Sequence, residues 1–396
     1  MLIGVVEGFY GPPWDRIDRL SFLDFTSRIG LNTYIYAPKW DPYHRNRWKA
    51  PYPREYEDMF LELNDLASRR NIETVYAISP GLTIRYGDPG DLSILIRKLE
   101  KMMSLGFNSI AILLDDIPPV LRGKKYRSLA EAQADLVNRV YDELTPRYTL
   151  FCPTYYWSIK EDYLKEIGEL LDRNIHVMWT GPAIVSVRIT VNDVKRFIEV
   201  TGRKPFIWDN YPVNDYFIMN GMMRLHLGPF KNRDPQIWEY VSGYVANPMN
   251  QAEASKIPIY TLSRMIRERE SYDPSKALRD AIKDLFPPEE HDIVNYFVEL
   301  NIASPFDPLA DHIPTAEDID KLEELLRRIE EISNYKLLEE IMYIIGKLHE
   351  ILSRLKGVKT TLNPRILTAG DYWLPMSDEQ LRHFFGEKIN MRKVWV

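Results

Sequence analysis

From residue 1 to about 265, short apolar runs alternate with amphipathic stretches. The runs are Ile3–Gly8, Asn32–Ala37, Thr74–Ser79, Ser109–Leu114, Tyr148–Cys152, His176–Thr180, Pro205–Trp208 and Gly243–Ala246. Their near-continuous Val, Ile, Tyr and Phe content predicts strands buried on both faces, as in a parallel sheet. Between them, Glu55–Arg70, Leu92–Leu105, Leu129–Leu144 and Ile159–Asp172 read as helices. Eight strands alternating with helices over this length predict an α/β fold of the (β/α)8 barrel type, which takes about 250 residues. A doubly wound open sheet is the alternative, but it has no need for eight such units. Tyr211 to Arg233, after the seventh strand, reads as a long loop.

The pattern changes after Arg269. Pro274, Pro287, Pro288, Pro305, Pro308 and Pro314 punctuate the chain before it turns strongly helical. Thr315 followed by Asp318 resembles a capping box with Asp in place of Glu. Ile319, Leu322, Leu325, Leu326, Ile329 and Ile332 then recur at three- and four-residue spacing and mark one apolar helix face. Asn334 breaks the pattern, and Leu337 to Leu355 repeats it. The expected organisation is a barrel domain over residues 1–268 and a smaller all-α helical domain over 269–396.

Composition narrows the classes of partner. The 396 residues carry 51 Lys and Arg against 57 Asp and Glu, a net charge of −6, so there is no broad basic field for a nucleic-acid backbone. A single cysteine, Cys152, excludes an internal disulfide framework and a Cys-rich zinc site. No apolar run reaches the roughly 18 residues of a membrane span. Met1 to Trp14 lacks a basic segment and does not read as a secretory leader, so a cytoplasmic protein without a membrane partner is expected. The 24 Tyr and nine Trp exceed what a core requires.

In barrels of this type the chemistry sits on the loops after the strand ends. Strand one runs into Glu7-Gly8-Phe9-Tyr10-Gly11, and strand two into Pro38-Lys39-Trp40-Asp41. Strand four ends in Asp115-Asp116 and strand five in Pro153-Thr154-Tyr155-Tyr156-Trp157. Strand seven gives Trp208-Asp209-Asn210 and then Asn214-Asp215; strand eight gives Asn247-Pro248-Met249-Asn250. Amides and carboxylates suited to hydroxyl groups, with flat rings suited to apolar sugar faces, thus converge on one rim.

Asp115 and Asp116 cannot both point inward from a regular strand, because successive side chains alternate faces. At the strand's last residues the backbone can turn, and Ile117-Pro118-Pro119 supplies the stop. Two carboxylates held close have their pKa values pushed apart, which suits a general acid beside a charge-stabilising carboxylate. A helix cap beside a solvated carboxylate, or a pair of metal ligands, would use the same dipeptide. No His-x-His or His-x-x-x-His spacing supports a metal, and Gly8-Phe9-Tyr10-Gly11 fits neither dinucleotide nor P-loop spacing. No cofactor is expected, and Cys152 is expected to pack inside the barrel.

Gly4-Val5-Val6-Glu7-Gly8-Phe9-Tyr10-Gly11-Pro12-Pro13-Trp14, Tyr36-Ala37-Pro38-Lys39, Leu114-Asp115-Asp116-Ile117 and Trp208-Asp209-Asn210 resemble glycoside hydrolase family 84. The family includes protein O-GlcNAcases and bacterial β-N-acetylglucosaminidases, and the motifs fall in its order from residue 4 to about 260. The resemblance implies retaining hydrolysis of a terminal β-linked N-acetylglucosamine, with the substrate's own acetamido group as nucleophile. It assigns Asp115 to the acetamido N–H and the oxazoline-like intermediate, and Asp116 to general acid and base chemistry.

By the same resemblance, the Gly8 backbone, Lys39 and Asn247 bind sugar hydroxyls, and Asp215 holds the O4 and O6 edge. Tyr156 lies near the acetamido oxygen, Trp208 packs around the acetyl methyl, and Asn210 is an amide partner of the catalytic site. Trp40 and Tyr155 depart from the family pattern beside matched residues and bear on the aglycone. The implied partner is an N-acetylglucosamine-bearing protein or a small glycoside, with oligomeric state open. A non-hydrolytic glycan-binding barrel and a hydrolase with an enzyme nucleophile are the competing readings.

Overall fold

The structure, a computed structural model, describes residues 1–121, 125–218, 224–307 and 310–358. Eight strands form one closed parallel barrel in chain order: β1 Leu2–Glu7, β2 Thr33–Tyr36, β3 Glu73–Ile78, β4 Ser109–Leu113, β5 Thr149–Cys152, β6 Ile175–Trp179, β7 Phe206–Asp209 and β8 Gly243–Ala246. β8 closes on β1 with Leu2 opposite Gly243 and Val5 opposite Ala246. Each strand lies within one residue of its expected span.

α1 Arg16–Arg28, α2 Arg54–Arg69, α3 Pro89–Ser104, α4 Leu129–Leu144, α5 Glu161–Leu170 and α6 Val191–Thr201 follow the first six strands in turn. Their starts are written locally. Asp15 with Asp18 and Thr190 with Asp193 form capping boxes, while Asp88 and Ser128 accept from the third backbone N–H of α3 and α4.

The strands divide by alternation. Val6, Ile35, Ala37, Val75, Ala77, Ala111, Leu113, Leu150 and Cys152 share one apolar cluster that fills the barrel. Cys152 is 1% exposed within it, as expected, and burial and then Asp115 push its thiol pKa up. The alternate positions carry Tyr34, Tyr36 and Tyr76, all fully buried, and Tyr36 meets Phe60 of α2 edge-on at 4.9 Å. Much of the tyrosine surplus therefore belongs to the layer between strands and helices. Its hydroxyls end on buried carboxylates: Tyr34 on Glu7, and Tyr36 and Tyr52 on Asp41.

The chain divides into two compact units, one of Met1–Asn210 with Gln236–Asn247, the other of Tyr211–Pro235 with the chain from Pro248 on. All eight strands belong to the first. The stretch read as a long loop contains a short helix, α7 Asp215–Ile218, and residues 219–223 lie outside the described residues.

The second unit also contains α8 Ala252–Glu268, α9 Pro274–Leu285, α10 His291–Glu299, α11 Ile319–Ile329 and α12 Tyr335–Leu355. The sequence boundary at 268 and 269 gives α8 to the barrel domain through its place in the alternation. In the structure Ala254 and Ile257 of α8 join one apolar core with Leu278, Ile282, Phe297, Leu326 and Ile341. α9 and α10 were not foreseen, because prolines there open helices instead of breaking them: Asp273 caps α9 and Pro274 is its first residue. Thr315 and Asp318 form the expected capping box, and Asn334, the break in the apolar pattern, caps α12. The expected helical domain beyond residue 358 lies outside the described residues.

Candidate active site

The site is built at the end of β4. Asp115 lies two residues beyond Leu113 and so continues the inward series Ala111, Leu113. Leu114 still donates its N–H to the Cys152 carbonyl at 2.8 Å, so the ladder holds one residue past the strand. At Asp116 the backbone turns left-handed, with φ at 51°. That region is uncommon outside glycine but is one that Asp tolerates better than most residues. The turn leaves Asp115 5% exposed, while the Asp116 side chain reaches solvent.

Different neighbours hold the two carboxylates. Lys39, on the turn after β2, donates from Nζ to Asp115 Oδ2 at 2.6 Å, with both side chains buried. Asp115 Oδ1 is buried and has no hydrogen-bond partner among the described residues. Burial by itself raises the Asp115 pKa, but the Lys39 ammonium and the Arg45 guanidinium outweigh it and hold the carboxyl below its ordinary value. Cationic neighbours therefore set its ionisation, where the sequence pointed to repulsion between the two aspartates.

Asp116 Oδ2 accepts from the Tyr10 hydroxyl at 2.9 Å, and its Oδ1 from the Tyr156 hydroxyl at 2.7 Å. Burial, and then the Asp116 charge, raise both phenols far above their ordinary pKa, so they stay protonated and donate. Its backbone carbonyl accepts from Arg45 Nη2 at 3.0 Å.

The opposite wall comes from β7, β8 and the loop after β1. Trp208 donates its indole N–H to Asn210 Oδ1 at 2.8 Å, and Asn247 Nδ2 donates to the same oxygen at 3.0 Å. Asn210 Nδ2 donates to the Ile184 carbonyl at 2.8 Å, and Asn247 Oδ1 accepts from the Gly8 N–H at 3.2 Å. This chain of amides fixes the Trp208 ring, over which the Lys39 ammonium lies 5.6 Å from the centroid. A Cβ at Gly8 would meet Trp208 Cζ2 at 2.3 Å. The ring alone thus requires glycine at this position.

Gly8, Lys39, Asp115, Asp116, Tyr156, Trp208, Asn210 and Asn247 therefore form one continuous set of contacts. Asp215 is the first residue of α7, half-buried, in the second unit. Three other rim carboxylates are anchors. Glu7 pairs with Arg19 at 2.8 Å, Asp41 accepts from Tyr36 and Tyr52, and Asp209 accepts from Tyr244. Alternation explains the sorting of β7, since Asp209 follows the inward Trp208.

Arg45 and His44 were missed. Both follow β2 by several residues, and no motif marks them. His44 is fully buried; its Nδ1–H donates to the Ala77 carbonyl at 2.8 Å, and burial and then Lys39 lower its pKa to about 3. Trp40, beside Lys39, is 55% exposed, and Trp157 is half-buried. Among the described residues no three His, Cys, Asp or Glu side chains are grouped to hold a metal ion, and no helix is long and apolar enough to cross a membrane.

Known proteins resemble this chain in sequence and in fold. The family described as NAGidase, beta-N-acetylglucosaminidase, matches residues 3–299. The Protein O-GlcNAcases of Rattus norvegicus and Mus musculus are each 38% identical over 273 residues, covering 66% of this chain and 29% of theirs. The matched region thus spans less than a third of those relatives' length. Among solved structures, a mutant of the Thermobaculum terrenum O-GlcNAc hydrolase is similar with a TM-score of 0.79 and 34% identity, over 89% of this chain and 82% of that one. CpGH84B is similar with a TM-score of 0.76 and 30% identity, over 89% and 68%. A barrel ending in a Lys39-paired Asp115 and a tyrosine-held Asp116, with the family match running through it, makes this chain a member of the β-N-acetylglucosaminidase family, glycoside hydrolase family 84.

Proposed function

We propose that the protein is a retaining exo-β-N-acetylglucosaminidase of the O-GlcNAcase type that uses the substrate's acetamido group as nucleophile. The observation that carries this reading is the unequal state of the two aspartates. Asp115 is buried, kept ionised by cations, and has one carboxylate oxygen without a partner among the described residues. Asp116 is exposed and held by two phenols.

In this reading Asp115 accepts the acetamido N–H, which turns the carbonyl oxygen towards the anomeric carbon and balances the positive charge that develops on the ring it forms. As that oxygen bonds to the anomeric carbon, the glycosidic C–O bond breaks, and Asp116 gives its proton to the departing oxygen. Water then attacks the anomeric carbon of the oxazoline and loses a proton to Asp116, and the acetamide re-forms. Two inversions leave the configuration retained. Trp208 with Asn210 walls the acetyl group, Tyr156 faces its oxygen, and Gly8, Lys39 and Asn247 take the sugar hydroxyls.

The substrate is a terminal N-acetylglucosamine on a protein or a small glycoside, and the setting is cytoplasmic, in keeping with the one buried thiol. A series of aryl β-N-acetylglucosaminides with zero to three fluorines on the acetyl methyl tests the mechanism. Turnover falls stepwise with each fluorine if the acetamide attacks, and a flat series argues for an enzyme nucleophile.

A further inference from the structure

Arg45 is 7% exposed, yet among the described residues no carboxylate lies within ion-pairing distance of its guanidinium. A buried cation without a direct partner is unfavourable unless a nearby charge balances it. What Arg45 does touch is the turn that separates the two aspartates. Its Nη2 donates to the Asp116 carbonyl at 3.0 Å, its Nη1 to Ser79 Oγ at 3.3 Å, and its Cζ lies 5.8 Å from the centre of the Tyr10 ring. Tyr10 in turn holds Asp116 Oδ2. The guanidinium therefore reaches Asp116 twice, directly at the backbone and through a ring at the side chain.

We propose, on the functional reading above, that Arg45 is a positioning residue that locks the left-handed turn at Asp116 and supplies the charge against which the Asp115–Asp116 pair is balanced. With φ at 51°, Asp116 stands in a region that Asp tolerates but that still costs free energy, and the hydrogen bond from Arg45 to its carbonyl helps to hold it there. Relaxation of this one dihedral would swing the acid away from the departing oxygen without moving Asp115, which the ladder and Lys39 hold independently.

The charge argument involves every group facing Asp115. Lys39, His44 and Arg45 approach from the segment after β2, Tyr10 from that after β1, Cys152 and Tyr156 from β5 and its loop, and Asp116 lies beside it. His44 is neutral, and the phenols and the thiol keep their protons. Among the described residues Lys39 and Arg45 are thus the two positive charges facing the pair, and the Lys39 ammonium donates to Asp115.

Arg45→Met and Arg45→Lys test the proposal on two substrates, a β-N-acetylglucosaminide with a poor alkyl leaving group and one with an activated aryl group. With Met, kcat on the alkyl glycoside falls about 100-fold, the order of effect of a misplaced catalytic group. On the aryl glycoside, which needs little protonation, kcat falls less than about a tenth as much. The acid limb of kcat/KM moves to higher pH as Asp115 loses a cation. With Lys, the limb returns towards its original position while kcat on the alkyl glycoside stays low, because an ammonium restores charge but not the fork.

Equal losses on both substrates with an unmoved acid limb would reduce Arg45 to a structural residue and overturn the proposal. Should Arg45→Met fail to fold, Arg45→Lys decides alone, and unchanged kcat on the alkyl glycoside overturns the lock. Failure of the unaltered protein to turn over either glycoside overturns the functional reading, and this proposal with it. Turnover by the unaltered protein with indifferent Arg45 variants overturns only the proposal.

Discussion

The Lys39 ammonium donates to Asp115 Oδ2 at 2.6 Å inside the barrel mouth, and the other oxygen of the same carboxylate is left without a partner among the described residues. One oxygen is neutralised by the protein and the other is buried with no donor supplied by the described residues.

Asp115→Ala and Asp116→Ala should separate by leaving group. Loss of Asp115 removes the acceptor proposed for the acetamide and should lower kcat on every N-acetylglucosaminide. Loss of Asp116 lowers kcat about 10²- to 10⁴-fold on poor leaving groups and much less on activated aryl glycosides. A leaving-group series on both variants reads this directly, and parallel losses would sink the division of roles.

Lys39→Met leaves a buried carboxylate without its ammonium, a change that costs about 3–5 kcal/mol. The Asp115 pKa, now below its ordinary value, rises in the variant. Because the folded-state value is depressed, the pair's stabilisation is full above the unfolded value, about 3.9, and is lost as pH falls through the folded value. The stability gap between the two proteins should thus be full at neutral pH and close in acid. Urea unfolding at a series of pH values measures it; a gap constant with pH would contradict the assignment.

Gly8→Ala places a methyl 2.3 Å from Trp208 Cζ2, and the amide chain through Asn210 resists the ring's retreat. Overpacking of this kind costs about 1–3 kcal/mol. It displaces the wall proposed for the acetyl group, so KM rises together with the loss of stability. A Gly8→Ala variant as stable and active as its parent would show the ring to be mobile.

His44 and His226 are fully buried, and burial lowers each pKa to about 3, so both stay neutral in the fold while the unfolded chain protonates them near 6.5. Stability should therefore fall as pH drops from about 6.5 towards 3, by about 1.4 kcal/mol per pH unit for each histidine. His44→Gln should remove one proton's share of that slope between pH 6 and 4. An unchanged slope would mean that His44 is not the neutral group described.

Trp40 offers an exposed indole one residue from Lys39. If it meets the aglycone, Trp40→Ala raises KM for chitobiose while leaving a methyl N-acetylglucosaminide unaffected. Equal KM changes on both substrates would remove Trp40 from the aglycone.

Strand number, order and span were legible in the sequence because a strand buried on both faces announces itself over four to six consecutive residues. Asp115 and Asp116 were legible for a related reason: two adjacent carboxylates directly after an apolar run have no place in a regular strand. The backbone does turn there, at the left-handed φ of Asp116.

Alternation along the strands sorts Glu7 and Asp209, which follow the inward Val6 and Trp208, away from Asp115. What holds each rim carboxylate was not legible, because its partners, Arg19, Tyr52 and Tyr244 among them, come from elsewhere in the chain. Arg45 had no signal at all, since its contact with Asp116 spans 71 positions of sequence. Local pattern determined the strands, the helix caps and the site's dipeptide, because those depend on neighbours along the chain. The ionisation of Asp115, the need for glycine at position 8 and the turn held by Arg45 were decided only in three dimensions, where closure of the barrel brings charges and rings from separate strands within reach of one another.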